Sequence, residues 1–494
     1  MAALLRLFRL DHQSLWIDEF FTWRSVGVGT PWDPARFFHD VHGPLYSFLL
    51  YLWTGVAGDS EWALRLPTAL LGVVLVAAVS RLAGRWLGEE TALPAAWLAA
   101  GSPFLVWYAQ EARNYTLLML FACLATSVLL RLRGRVSAPG MAAYIGAAWA
   151  GVLSNLSFAL LAAVHLRWWF ATPGGPVRRL VRAVAVAACI VVLASPWLPH
   201  IRGIWDWQRL QPSRTVEASE TPLRGTTTFH PAALPFAAAT FAVGYTLGPP
   251  VRELRIAAGA SALRSHLVPL AAAAVVFGAL TVLGLRALHR RRRLGEAVLW
   301  LLVPALLVSY FAFQNFKVFH PRYLSVGVPA FLALLAAAFA DLSPRGRAGF
   351  GVLVALLWGY SLQHHYFDPR YGKEDMRAAG ALLTARAQAG ERIVAANTED
   401  LLFYYYRGPV PVVNYWLGWA ADPDAGAQRF DRLSAGAAGT WVVLSRAEDL
   451  DPTGAFARHL DERHPAAERF RFEGVRVWHL RPPVPAAPPP NVRS

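Results

Sequence analysis

Lysine is almost missing from this chain. Of its 47 lysine and arginine residues only Lys317 and Lys373 are lysine, a bias of the kind a GC-rich genome imposes. Charge of any sign is scarce: 16% of residues are charged and 55% hydrophobic, with a mean hydropathy of +0.34. That excludes an ordinary soluble protein, and several apolar runs approach the roughly 20 residues that cross a bilayer as a helix. Cysteine is as rare. Cys123 and Cys189 each lie inside an apolar run, which excludes a disulfide framework and a cysteine metal site. There is no internal repeat, no P-loop and no G-x-G-x-x-G after a strand, so no nucleotide site is expected. The net charge of +15 would suit nucleic acid. The arginines, however, gather in short loops between apolar runs, the pattern that sets membrane topology, and nucleic acid is excluded as a partner.

What is present is a polytopic all-α membrane protein of about ten spans, with a small C-terminal α/β domain. Residues 1–10 read as the last turns of a spanning helix. At 1.5 Å per residue Leu4–Leu10 supplies about 10 Å against an apolar core of about 30 Å, and the natural protein is expected to begin upstream. Residues 44–56 suit a helix lying at the membrane surface. Spans are expected near 67–83 and 92–108, in a third run ending at Arg131, Arg133 and Arg135, and near 141–153, 156–170, 181–198, 267–288, 299–313, 326–340 and 350–362. Residues 201–232 read as an external loop and 232–247 as a re-entrant or interfacial segment. Alternating the spans puts every arginine cluster, including Arg290 to Arg293, on the cytoplasmic side. The Asp18-Glu19 loop, the Glu111 loop, the Lys317–Arg322 loop and everything after His364 then fall outside. The expected domains are a membrane domain over 1–368, an extracytoplasmic α/β domain over 369–480 with strands near 392–396, 410–415 and 441–445, and a Pro-rich disordered tail over 481–494.

The motifs sit in the external stretches. Ser14-Leu-Trp-Ile-Asp-Glu19, His42-Gly-Pro-Leu-Tyr46, Arg65-Leu-Pro67, Trp107-Tyr-Ala-Gln-Glu-Ala-Arg-Asn-Tyr115 and Pro321-Arg-Tyr-Leu324 together resemble the bacterial branch of the protein mannosyltransferase-like glycosyltransferases. These belong to the GT-C superfamily, which also contains the aminoarabinose transferases of lipid A. The resemblance implies the GT-C fold, a multi-pass protein of the cell (inner) membrane, a polyprenyl-phosphate sugar donor, and inverting transfer to a glycan, lipid or protein acceptor at the outer face.

The residues themselves fit such chemistry. A sugar leaving a lipid phosphate requires cations near the headgroups, and Arg113, Lys317 and Arg322 are the external ones best placed by sequence. Lys317 either holds phosphate or snorkels to the interface. Asp18 is the candidate general base for an acceptor hydroxyl, and Glu19 supports it or holds the acceptor. Glu111 either lines the site or pairs with Arg113. His42 either lines the site or caps the surface helix, and Tyr46 and Tyr115 are expected beside it. His39, Asp40 and His42 leave room for a divalent cation, but the second loop offers Glu111 and no D-x-D, so no metal is required. His364-His365-x-x-Asp368 reads as interfacial polar residues at a helix end. The rival reading, a transporter or flippase of lipid-linked sugars, calls for repeated halves and mid-membrane charges, and neither is seen.

Overall fold

The computed structural model describes residues 1–27, 33, 37, 43–197, 199, 229–250, 253–254, 259–314, 319–396, 399–415, 423–447, 451 and 453–481. They form two compact units: of the described residues, those in 1–12, 21–199 and 229–371 make the first, and those in 13–20 and from 372 onward make the second.

The first unit is built of helices. Among the described residues five are long and apolar enough to cross a membrane: Glu61–Leu87, Tyr115–Leu132, Ser261–Arg290, Leu294–Phe313 and Pro321–Asp341. A sixth crossing results if Glu89–Gly101 and Pro103–Ala109, bent by 57°, are one broken span. Several segments expected to cross are shorter or interrupted. Ala138–Ser154 has 17 residues, and the 156–170 run divides into a 3-10 turn and the helix Ala162–Trp169.

The helices also run past their apolar stretches, because capping and ion pairing extend them. Glu61–Leu87 is capped by Ser60, whose hydroxyl accepts the Ala63 N–H, seven residues before Pro67. Pro67 has no N–H for the Ala63 carbonyl, and the Trp53 indole donates to it instead, at 2.9 Å. Pro176–Ala194 takes Arg178, Arg179 and Arg182 into its first turns. Leu294–Phe313 takes in Glu296, an acid the sequence reading left outside the spans. The Val328–Asp341 helix is apolar on every face and buried accordingly. Gly284 lets a neighbour approach it, since a Cβ there would lie 2.5 Å from the Leu334 carbonyl oxygen.

One end of this bundle is latched by charge. Arg291 donates to Asp341 at 2.7 Å, to Glu90 at 3.0 Å and to the Leu87 carbonyl at 3.1 Å, and Arg290 also pairs with Asp341. Buried Glu296 takes Arg133 at 3.2 Å, Arg293 at 3.3 Å and the Trp86 indole at 2.7 Å. The Arg290–Arg293 run, read as a topology marker, thus also ties helix ends together.

In the second unit, β1 (Arg392–Ala396), β2 (Val412–Tyr415), β3 (Thr440–Ser445), β4 (Glu468–Phe472) and β5 (Val475–Leu480) form one sheet in the order β2-β1-β3-β5-β4. The first three are parallel and the last two antiparallel. The three expected strands are present. The β4–β5 hairpin was not foreseen, although Glu-Arg-Phe-Arg-Phe alternates and Gly474 (φ 66°) supplies the left-handed turn position. Phe430, Phe456, Leu460, Val442 and Trp478 fill the core on one sheet face.

Candidate active site

The span leading to the Glu111 loop breaks at Ser102-Pro103. Ser102 caps the second half by accepting the Leu105 N–H at 3.4 Å, while Pro103 has no N–H for the Ala99 carbonyl. Arg6, fully buried, replaces it. Its Nη2 donates to the Ala99 carbonyl at 2.9 Å and its Nη1 to that of Ala100 at 3.0 Å. Gly72 leaves the slot, since a Cβ there would lie 2.9 Å from Arg6 Nε and 2.7 Å from Ala109 Cβ. Gln110 returns the favour. Its Nε2 donates to the Arg6 and Phe8 carbonyls, at 3.2 and 2.9 Å, at the end of the Ala2–Leu7 helix. With the amide nitrogen so used, Oε1 is the acceptor, and His365 Nε2–H donates to it at 2.8 Å. His365 is therefore a buried anchor rather than an interfacial group. Beside it, His364 Nδ1 lies 2.9 Å from the Thr246 carbonyl.

The loop held this way carries charge into the bundle. Glu111, Arg113 and Tyr115 are each 3% exposed. Arg113 Nη1 donates to Thr22 Oγ1 at 2.8 Å. Tyr115 stands edge-on to Tyr108, with ring centroids 5.1 Å apart, and the Tyr108 and Tyr245 hydroxyls are 2.8 Å apart. Glu111 and Arg322 both lie close enough to this tyrosine pair for their charges to act on it. His320 caps the 3-10 turn Pro321–Gly327 by accepting the Arg322 N–H at 3.2 Å, and the Arg322 guanidinium lies over the Tyr323 ring at 5.2 Å. Trp107 and His320 border Tyr245 at 5.2 and 6.0 Å.

The structure thus packs Tyr115 against Tyr108, joins Tyr108 to Tyr245, and puts Glu111 and Arg322 within electrostatic reach of that pair. Sequence reasoning quoted Tyr108 and Gln110 inside a motif without giving them roles, and it missed Tyr245. The available signal was Gly244 just before it: φ is 77°, and a Cβ would lie 2.7 Å from Pro103 Cβ, so the chain must turn there against the broken span.

Asp18 and Glu19 occupy the second and third positions of the helix Ile17–Val26, where negative charge suits the helix dipole. Glu19 is fully buried and its Oε2 lies 3.5 Å from the Trp16 N–H, the backward reach of a capping box. Asp18 lies one turn before Thr22 on the same helix face. Tyr46 is buried, its hydroxyl 2.7 Å from Thr68 Oγ1. Gly43 of the His-Gly-Pro motif is required by close approach, since a Cβ would lie 2.2 Å from the Leu153 carbonyl oxygen. His42 and Lys317, with His39 and Asp40, lie outside the described residues. Among the described residues no three His, Cys, Asp or Glu side chains cluster as metal ligands.

A helical membrane bundle with a small α/β domain of this kind has the GT-C fold. The particular likeness is to ArnT from Cupriavidus metallidurans. Its apo crystal structure superposes with a TM-score of 0.59 at 15% identity, covering 96% of each chain. The form bound to undecaprenyl phosphate gives 0.57 at 17%, covering 97% of this chain and 96% of that one. The archaeal oligosaccharyltransferase AglB from Archaeoglobus fulgidus, in complex with an inhibitory peptide and a dolichol-phosphate, gives 0.51 at 12%, covering 92% and 69%. These are likenesses of fold. By sequence, residues 41–200 match the family model for dolichyl-phosphate-mannose-protein mannosyltransferase, which bears out the resemblance carried by the motifs. No curated sequence matches the chain.

Proposed function

We propose that this protein is an inverting membrane glycosyltransferase that takes a sugar from a polyprenyl phosphate and passes it to a glycan, lipid or protein acceptor at the outer face of the cell (inner) membrane. The observation that carries the reading is the packing of Tyr115 against Tyr108, with Glu111 and Arg322 within electrostatic reach of the Tyr108–Tyr245 pair, in a fold shared with a protein crystallised with undecaprenyl phosphate. In this reading Arg113, Arg322 and Lys317 bind the donor phosphate. Charge-assisted contacts stabilise the departing phosphate as negative charge accumulates on it. Asp18 takes the proton of the attacking hydroxyl. Glu19, whose carboxylate turns back on its own helix start, supports Asp18. His42, Tyr46, Glu111 and Tyr115 line the acceptor side. No metal is required, although His39, Asp40 and His42 would suit one. The membrane domain spans residues 1–368 with about ten crossings. The arginine-latched end is cytoplasmic and the α/β domain over 369–480 extracytoplasmic, with 481–494 as a Pro-rich tail.

The test is to incubate purified protein with radiolabelled polyprenyl-phosphate sugars and follow loss of label from the lipid. Wild-type protein releases the label, and Asp18→Asn slows release by about 10²–10⁴ while leaving donor binding intact. Label that crosses vesicle membranes while still attached to lipid would replace this reading with a flippase.

A further inference from the structure

Residues 13–16 have no regular structure of their own, yet each is held. Ser14 Oγ donates to Asp375 Oδ1 at 3.2 Å and accepts the Arg377 N–H at 3.2 Å. Arg377 is the second residue of the helix Met376–Arg386, whose N-cap Asp375 serves the next N–H, that of Ala378, at 3.0 Å. A helix start leaves several N–H groups without intrahelical partners. Here Asp375 satisfies one and Ser14, from far away in sequence, satisfies another. The Gln13 side chain accepts the Lys373 N–H at 3.3 Å, and its carbonyl accepts from the Arg377 guanidinium at 3.3 Å. The Leu15 N–H donates to the Tyr405 hydroxyl at 2.5 Å. Lys373 Nζ stands 4.2 Å above the Trp16 ring, a cation–π contact made by one of the two lysines in the chain.

These grips converge on the residue from which the Ile17–Val26 helix departs. Leu15 is fully buried and Ser14 nearly so, and Glu19 ties the helix start back to Trp16. A carboxylate in the first turn goes where that turn is aimed. We propose that the C-terminal α/β domain is a positioning element for the acid motif: Ser14, Tyr405 and Lys373 hold residues 13–16 and so aim the Asp18 carboxylate. This rests on the reading of Asp18 as general base. It gives the domain a part in the reaction with no ligand site of its own.

Tyr405→Phe removes only the oxygen that receives the Leu15 N–H, and Lys373→Met removes the charge but keeps the stem. Full-length variants are compared in three measurements. Turnover is expected to fall by about 10- to 100-fold in the double variant, the scale on which a misplaced catalytic group costs rate. The Kd for polyprenyl phosphate should stay within about twofold, the signature of a contact felt in the transition state rather than in binding. In an Asp18→Asn background the same substitutions should cost almost nothing further, because a residue acting through Asp18 has nothing left to aim. Hydrogen exchange should show faster exchange in residues 13–20, with the Tyr115–Leu132 helix unchanged. The proposal is overturned if the penalties multiply with that of Asp18→Asn, if donor affinity falls in step with turnover, or if exchange in residues 13–20 does not change. A wild-type protein that releases sugar from no polyprenyl phosphate, with the exchange result as expected, would instead sink the proposed function and leave the grip standing.

Discussion

The two ends of the helical bundle meet different needs with different chemistry. At one end helices terminate, and arginines meet carboxylates: Arg133, Arg290, Arg291 and Arg293 with Glu90, Glu296 and Asp341. At the other end helices are interrupted, and what needs a partner is a backbone carbonyl. Pro67 and Pro103 each strip the donor from the carbonyl four residues back, and a side chain from elsewhere replaces it: the Trp53 indole at Ala63 and the Arg6 guanidinium at Ala99. Gln110 does the same for the Ala2–Leu7 helix and Arg65 for the Leu10 carbonyl. In a lipid-facing fold an unmet carbonyl costs several kcal/mol, so a break is tolerated only with such a substitute. The contrast also separates two kinds of arginine at the second end. Arg6 and Arg65 are buried carbonyl caps, and a charge of that kind marks no ligand. Arg113 and Arg322 reach side-chain hydroxyls and a ring, Thr22 and Tyr323.

Removing a cap should cost most. Arg6→Met leaves two buried carbonyls without the guanidinium, at about 1–3 kcal/mol each. Thermal unfolding in detergent should register a loss of about 2–6 kcal/mol, with Arg6→Lys recovering part of it, since an ammonium cannot fork across both oxygens. An Arg6→Met protein as stable as wild type would remove the distinction between the ends. Gln110→Glu comes next. It keeps the shape but turns a carboxylate oxygen toward the Arg6 and Phe8 carbonyls in place of an N–H, for about 1–3 kcal/mol by the same assay.

How far the sequence reached follows the same division. The helical, apolar character of much of the chain and the strands β1 to β3 depend on composition and period, which are local, and they could be read. Where helices start depends on single capping groups such as Ser60, so boundaries slipped by several residues. The acid and arginine motifs were visible because charges stand out in an apolar chain. Gln110, Tyr245 and His365 were not, because their roles exist only once residues more than a hundred positions apart meet. The β4–β5 hairpin was missed for a different reason. Its alternating arginines and phenylalanines read as charge before they read as a strand, although period 2 was present.

A buried charge in the tail sheet lies between the two cases. Glu391 is 9% exposed at its side chain. Burial pushes its carboxyl up, but the Gln388 N–H at 2.7 Å, the Trp441 indole at 2.8 Å and His479 Nε2 at 2.7 Å outweigh that and hold it below the usual 4.5. A depressed folded-state value means the stabilisation is fully present above about 4.5 and is lost as pH falls through the folded value. Glu391→Gln should therefore weaken the domain by about 1–2 kcal/mol at neutral pH and by progressively less in acid. Hydrogen exchange in β1 and β3, corrected for the intrinsic pH dependence, measures both. A penalty that does not shrink on acidification would show that the charge contributes nothing there.

The smallest effect is expected at the latched end. Arg290 is 64% exposed and its partner Asp341 23%, so Arg290→Ala removes an attraction that water and salt already screen. Asp341 is not left bare, because Arg291 still donates to it at 2.7 Å. The loss should be below about 1 kcal/mol, and it should fade as ionic strength is raised toward 1 M, where the screening length falls to about 3 Å. Arg6→Met should keep its penalty at the same salt, since its lost partners are dipoles inside the protein rather than ions at its surface. Measuring both variants at low and high salt in the same detergent sets the comparison directly. Equal salt sensitivity in the two would mean that the caps and the latch draw on the same electrostatics, and that the difference between the two ends is one of position alone.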